Sequence, residues 1–111
     1  MMKVDSTGGE ITVIEGLADL NAQPGDAPRI EKLASGAGAT VIRIGFSAGQ
    51  TMADHRAQFP ILVQTITGDI SFGTEDRTVP LVPGVAVHVD AGIVHRLVAN
   101  TDSVVMLTIL R

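Results

Sequence analysis

The sequence predicts an all-β domain, and three observations carry that prediction. Apolar residues recur with a period near two, in short runs, which is the alternation of half-buried strands. Gly, Pro, Asp and Asn break these runs roughly every eight to twelve residues, the spacing of turns in sandwiches and jelly rolls. Helix-forming stretches are scarce, and at 111 residues the chain is long enough to bury one self-sufficient core. A single domain over residues 1–111 is expected, with residues 1–9 frayed and residues 29–110 as its body.

Taken in order, "EITVIEG" (10–16) reads as a first strand. "GLADLNAQPGDAP" (16–28) is a Pro/Gly-rich excursion with at most one helical turn, around Leu17 to Leu20. Arg29 to Ala34 and Thr40 to Phe46 form a hairpin around the flexible "SGAGA", and a long loop follows. The rhythm then continues through Ile61–Thr67, Asp69–Gly73, Arg77–Leu81, Val85–Val89, Val94–Ala99 and Val104–Leu110. Turn signals stand between them at Gly68-Asp69, Thr74-Glu75-Asp76, Pro83-Gly84, Ala91-Gly92 and Asn100-Thr101-Asp102.

Composition narrows the partners. Eight Lys and Arg against twelve Asp and Glu leave a net charge of −4, with no basic run and no Trp or Tyr to stack on bases, so nucleic-acid binding is not expected. Cysteine is absent, which removes disulfides, thiolate metal sites and Cys nucleophiles together. No apolar run follows Lys3 and none approaches membrane-spanning length, so the chain is expected in the cytoplasm. Only 18% of residues are charged against 45% hydrophobic, a balance that favours extra surface buried in a homodimer. The strands "VIRIGF", "ILVQTIT" and "VVMLTIL" point the same way, with apolar residues on both faces.

Within this rhythm two Gly/His segments have the spacings of the two short motifs of the cupin superfamily. In the first, Gly49, His55, Ala57, Ile61 and Gly68 stand at the positions of Gly, His, His, Glu and Gly. In the second, Gly84, Asp90, Gly92, His95 and Ala99 stand at those of Gly, Pro, Gly, His and Asn. Six of these ten positions match, with every spacing kept, and the segment from about Ala39 to Leu110 resembles a compact single-domain bacterial cupin. The resemblance implies a double-stranded β-helix barrel and places His55, Ala57, Ile61 and His95 around one cavity. The glycines need no family to explain them: each lies at a strand junction where positive φ or close approach is cheap only for Gly.

The departures from the pattern fall on the chemistry. Metal-binding cupins converge two histidines, a glutamate and a third histidine on one divalent ion; here two of those positions are Ala57 and Ile61. His55 and His95 alone leave a Zn, Ni, Fe or Mn ion largely water-ligated. Each is read as a hydrogen-bonded histidine rimming a cavity, as a metal ligand or as an acid/base group, and Gln58 is grouped with them as a ligand-site residue or third ligand. Asp54 and Thr51 are further polar neighbours on the same loop. Period two puts Gln64 opposite Ile61, where a dimer contact and a site role stay equally open, and makes His88 a surface or interface histidine paired with Asp90. Arg56 and Arg96 are read as rim arginines.

Three functions stay open. A small organic ligand bound in the barrel, with at most a weakly held metal, leads. A metal-assisted oxygenase, isomerase or lyase using His55 and His95 is second, and a dimerisation module is third. No nucleophile elbow, phosphate loop, zinc-protease or dinucleotide motif is present.

Overall fold

Alternation decides which face each side chain takes, and the strands assemble so that one parity always points inward. The computed structural model describes Lys3, Val4 and residues 10–111. The expected fraying of residues 1–9 falls outside these apart from Lys3 and Val4. Among the described residues eleven strands run in chain order: β1 (Lys3–Val4), β2 (Glu10–Ile11), β3 (Arg29–Gly36), β4 (Ala39–Phe46), β5 (Thr51–His55) and β6 (Ile61–Thr67), then β7 (Ile70–Thr74), β8 (Thr78–Leu81), β9 (Ala86–Val89), β10 (His95–Ala99) and β11 (Ser103–Leu110). There is no helix among the described residues.

The pairing is nested. β7 pairs with β8, β6 with β9, β5 with β10 and β4 with β11, all antiparallel, so residues 39–110 form one long hairpin. Cross-pairs of β10 with β7 and β11 with β6 roll that hairpin into two facing sheets, β5-β10-β7-β8 and β3-β4-β11-β6-β9. This is a double-stranded β-helix, the jelly-roll barrel that the resemblance implies. Inward positions supply the core, with Ile44, Phe46, Ile61, Val63, Phe72 and Leu97 each no more than 2% exposed.

The four motif glycines stand at the corners. Gly49, Gly68, Gly84 and Gly92 have φ of 89°, 99°, 95° and 85°, a region that side-chain-bearing residues seldom enter. Gly68 is doubly constrained, because a Cβ there would clash with the Ser103 side chain and the Asp102 carbonyl.

Two local expectations need correction and a third is narrowed. The strand expected over residues 10–16 is confined to Glu10–Ile11, which pair only with Lys3 and Val4. The β-forming run beyond them pairs with none of the edge strands, and propensity without a partner does not make a strand. Around Leu17 to Leu20 there is a turn, closed by the Asp19 amide donating to the Gly16 carbonyl at 3.0 Å, in place of helix. The loop expected after Phe46 contains β5, a polar strand of "TMADH" that alternation did not mark and that β10 recruits.

The excursion before β3 is strapped to the barrel. Arg43 donates to the Gly16 carbonyl and pairs with Glu31 at 3.1 Å, and Asn21 donates to the same carboxylate at 2.6 Å. Gly45 lets the chain pass close, since a Cβ there would lie 3.0 Å from the Asn21 backbone. Gln50, only 4% exposed, completes the strap: Nε2 donates to the Gln23 and Gly25 carbonyls at 2.7 and 2.9 Å, while Oε1 accepts the Ser47 amide at 2.8 Å.

Candidate functional site

Pairing of β5 with β10 sets His55 opposite His95 in register. The ring centroids are 4.3 Å apart with an interplanar angle of 61°, an edge-to-face contact. One extra residue on β5 makes this possible: His95 pairs with His55 but Leu97 with Met52, so the strand bulges at Ala53 and Asp54. Such a bulge re-aims a side chain. It brings Met52 and His55, three residues apart, onto one face.

That face closes a cavity of about 230 Å³ between the sheets. Its wall is almost wholly apolar, made by Ile30, Ile42, Ile44, Met52, Leu107 and Ile109 together with Ala57 and Ile61, with His55 and His95 as its nitrogen-bearing side chains. Four of the five ligand-site residues named from the sequence therefore meet here. Gln58 does not: it is exposed and absent from the lining. Parity explains the correction, because His55 and Ala57 face inward, and Arg56 and Gln58 alternate with them towards solvent. The wall from β4 and β11 follows the same inward parity as the core, so it was within reach of the sequence; Met52 was not, because the bulge interrupts the count.

Both imidazoles are pinned by their own strand ends. His55 Nδ1 lies 2.8 Å from the Ala53 carbonyl and His95 Nδ1 lies 2.9 Å from that of Ile93. His95 is 1% exposed, and its Nε2 is buried with no hydrogen-bond partner among the described residues. Burial is the largest influence on its ionisation and pushes the pKa below the ordinary 6.5. The Ile93 carbonyl opposes that shift and the charge of His55 adds to it. The other face of the ring stacks on Phe72, with centroids 5.6 Å apart at 15°.

Phe72 in turn lines a larger hollow of about 440 Å³ between β7, β8 and β9. The Phe72–His95 stack is thus the wall between two spaces. The larger one has its polar groups at the rim, where exposed His88 approaches exposed Asp90 at 3.8 Å. Size alone favours this hollow, but the ring whose buried Nε2 lacks a partner lines the smaller cavity, which makes that cavity the candidate site.

The remaining residues take structural places. Arg96 bridges to Asp54 at 3.5 Å on the outer face and lies over Gly73, where a Cβ would come within 3.0 Å of its guanidinium. Arg56 and Thr51 are exposed. Gln64 alternates with buried Val63 and Thr65, on the outer face.

The donor set does not fit a resident metal ion. No group of three or more His, Cys, Asp or Glu that could hold one exists among the described residues. Carbon occupies the other two positions, at Ala57 and Ile61, whereas catalytic zinc ordinarily takes three protein ligands.

Comparison of the sequence with family models and with curated proteins gives no match. Comparison of the structure does. A cupin superfamily protein from Desulfitobacterium hafniense DCB-2 aligns at a TM-score of 0.71 and 16% identity, over 79% of this chain and 81% of that one. An RmlC-like cupin from Shewanella frigidimarina NCIMB 400 aligns at 0.73 and 14%, over 88% and 87%. KdgF from Halomonas sp. aligns at 0.69 and 20%, over 80% and 84%. At such identities the likeness is one of fold, and it agrees with the nested pairing and the four glycine corners: the chain is folded as a small cupin domain.

Proposed function

We propose that this barrel binds a small, largely apolar organic molecule in the cavity beneath His55 and His95. The observation that carries the reading is the His95 ring, which lines an otherwise apolar cavity and whose buried Nε2 has no partner among the described residues. A buried acceptor left unpaired is costly, and proteins keep such groups where a ligand or ordered water completes them. A cavity lined by aliphatic side chains with one or two convergent polar groups is the usual make-up of a small-molecule site. Any Zn, Ni, Fe or Mn ion held by His55 and His95 alone is weakly bound, because two imidazoles without a carboxylate leave most of its shell to water.

Titration with toluene and phenol, followed by calorimetry and by protein NMR, tests the reading. At least one is expected to bind, and Ala57→Leu, which fills the cavity, is expected to abolish that binding. Elemental analysis of protein purified without a metal-chelating tag is the counter-test. Close to one equivalent of metal per chain, resistant to mild chelation and lost in His95→Ala, would replace this reading with the metal-dependent enzyme.

The chain is further proposed to pair as a homodimer through the outer face of the larger sheet. Val41, Leu62, Met106 and Thr108 lie there at adjoining register positions and are only half-buried. Sedimentation at micromolar concentration is expected to give a dimer; a monomer alone would count against it.

A further inference from the structure

Resting on the reading of the cavity as a ligand site, we infer that its ligand is an uncharged molecule bearing a hydroxyl or phenol group that donates to His95, and that carboxylates are rejected. The proton positions follow from the partners. A backbone carbonyl can only accept, so the 2.9 Å contact with Ile93 puts the His95 proton on Nδ1, and the 2.8 Å contact with Ala53 does the same for His55. A neutral imidazole carries one N–H and one lone pair, so each Nε2 is an acceptor. Two acceptors on adjacent rings, one of them fully buried, ask for a donor.

The surroundings offer an anion nothing in return. Among the described residues no Lys or Arg lines the cavity. Arg96 is engaged with Asp54 on the outer face, and Arg56 is exposed. A carboxylate brought into the apolar space would lose its hydration with no cation or N–H group to replace it, and burying an unpaired charge is heavily disfavoured. Burial also holds His95 towards its neutral form, which keeps its lone pair available. His55 lies nearer the solvent, so a second hydroxyl next to the first, as in catechol, meets the second acceptor.

Three probes of similar size separate the outcomes: phenol, toluene and benzoate, titrated into the tag-free full chain at neutral to mildly alkaline pH. Phenol is expected to bind roughly fivefold to tenfold more tightly than toluene, the worth of one neutral hydrogen bond, and benzoate more weakly than either. In His95→Phe the difference between phenol and toluene should vanish while toluene binding persists. Benzoate binding as tightly as phenol, or toluene equalling phenol, would overturn the inference and leave the ligand site intact. Failure of all three to bind would overturn the ligand site, and the inference with it.

Nitrogen-15 NMR of the histidine rings in the unmutated protein avoids any folding defect of the variant. Both rings should show the Nδ1–H tautomer, with the His95 Nε2 resonance moving on addition of phenol and staying in place with toluene. A proton found on His95 Nε2 in the free protein would equally overturn the inference.

Discussion

His55 and His95 occupy paired positions of β5 and β10, with rings 4.3 Å apart and each Nδ1 tied to the carbonyl two residues before it. Since β5 and β10 are separated by about forty residues of chain, this pair exists only because the long hairpin closes correctly. It is consequently a sensitive reporter of both the fold and the site.

Stability should fall on acidification through the window set by His95. Its folded-state pKa lies below 6.5, chiefly through burial. As pH drops past the unfolded value, the unfolded chain takes up a proton that the folded chain refuses. The stabilisation is therefore fully present above about pH 6.5 and declines below it, by at most ~1.4 kcal/mol per pH unit. Glu31 acts in a separate window: held low first by the Asn21 hydrogen bond, its contribution is lost only as pH falls below its ordinary 4.5. Urea unfolding of chelator-treated protein between about pH 7.5 and 5.5 checks this, and His95→Phe should flatten the slope.

Removing the ring of Phe72 should merge the two interior spaces. Phe72 is 2% exposed, faces the larger hollow and stacks on His95. Phe72→Ala is expected to cost about 3–5 kcal/mol and to release the His95 ring from its plane. Urea unfolding gives the first quantity, and a crystal structure of the variant tests the second; an unchanged wall would refute it.

Gln50 should hold the 21–28 strap without affecting the cavity. Gln50→Ala breaks three hydrogen bonds of a buried side chain, at an expected cost of roughly 1–3 kcal/mol. Amide exchange should quicken over residues 21–28 and at Ser47. The relative binding of phenol and toluene should not move.

Restoring a third donor should create a metal centre. Ala57 lines the cavity beside both histidines, at a position where metal-binding cupins carry histidine. Ala57→His is expected to raise zinc affinity at least ~10-fold over the parent chain, since even a supporting partner of a metal ligand is commonly worth that much. Competition with a chromogenic chelator measures it, and no gain would mean that residue 57 does not converge with His55 and His95.

Much of the architecture was legible because its causes are local. Alternation marks β4, β6, β10 and β11, and with them the inward wall of Ile42, Ile44, Leu107 and Ile109. Glycine marks corners because positive φ excludes most other residues, and all four motif glycines prove to occupy it. The resemblance to the cupin motifs implied that His55, Ala57, Ile61 and His95 share one cavity, and all four line it. Gln58, one step out of phase with His55 and Ala57, falls on the outward parity.

What depended on the tertiary structure has a common physical origin: it arises where one strand meets another. β5 is polar and becomes a strand because β10 offers it an edge, and its bulge, which carries Met52 inward, is defined only by comparison with the partner's register. The solitary Nε2 of His95 and the wall it forms with Phe72 are properties of packing across the barrel. The burial of Gln50 likewise requires a loop twenty-five residues away to fold back on it. Sequence determined the strand rhythm, the corners and the residues that face inward. The closing of the barrel alone decided which inward groups are satisfied and which one, His95 Nε2, is left without a partner.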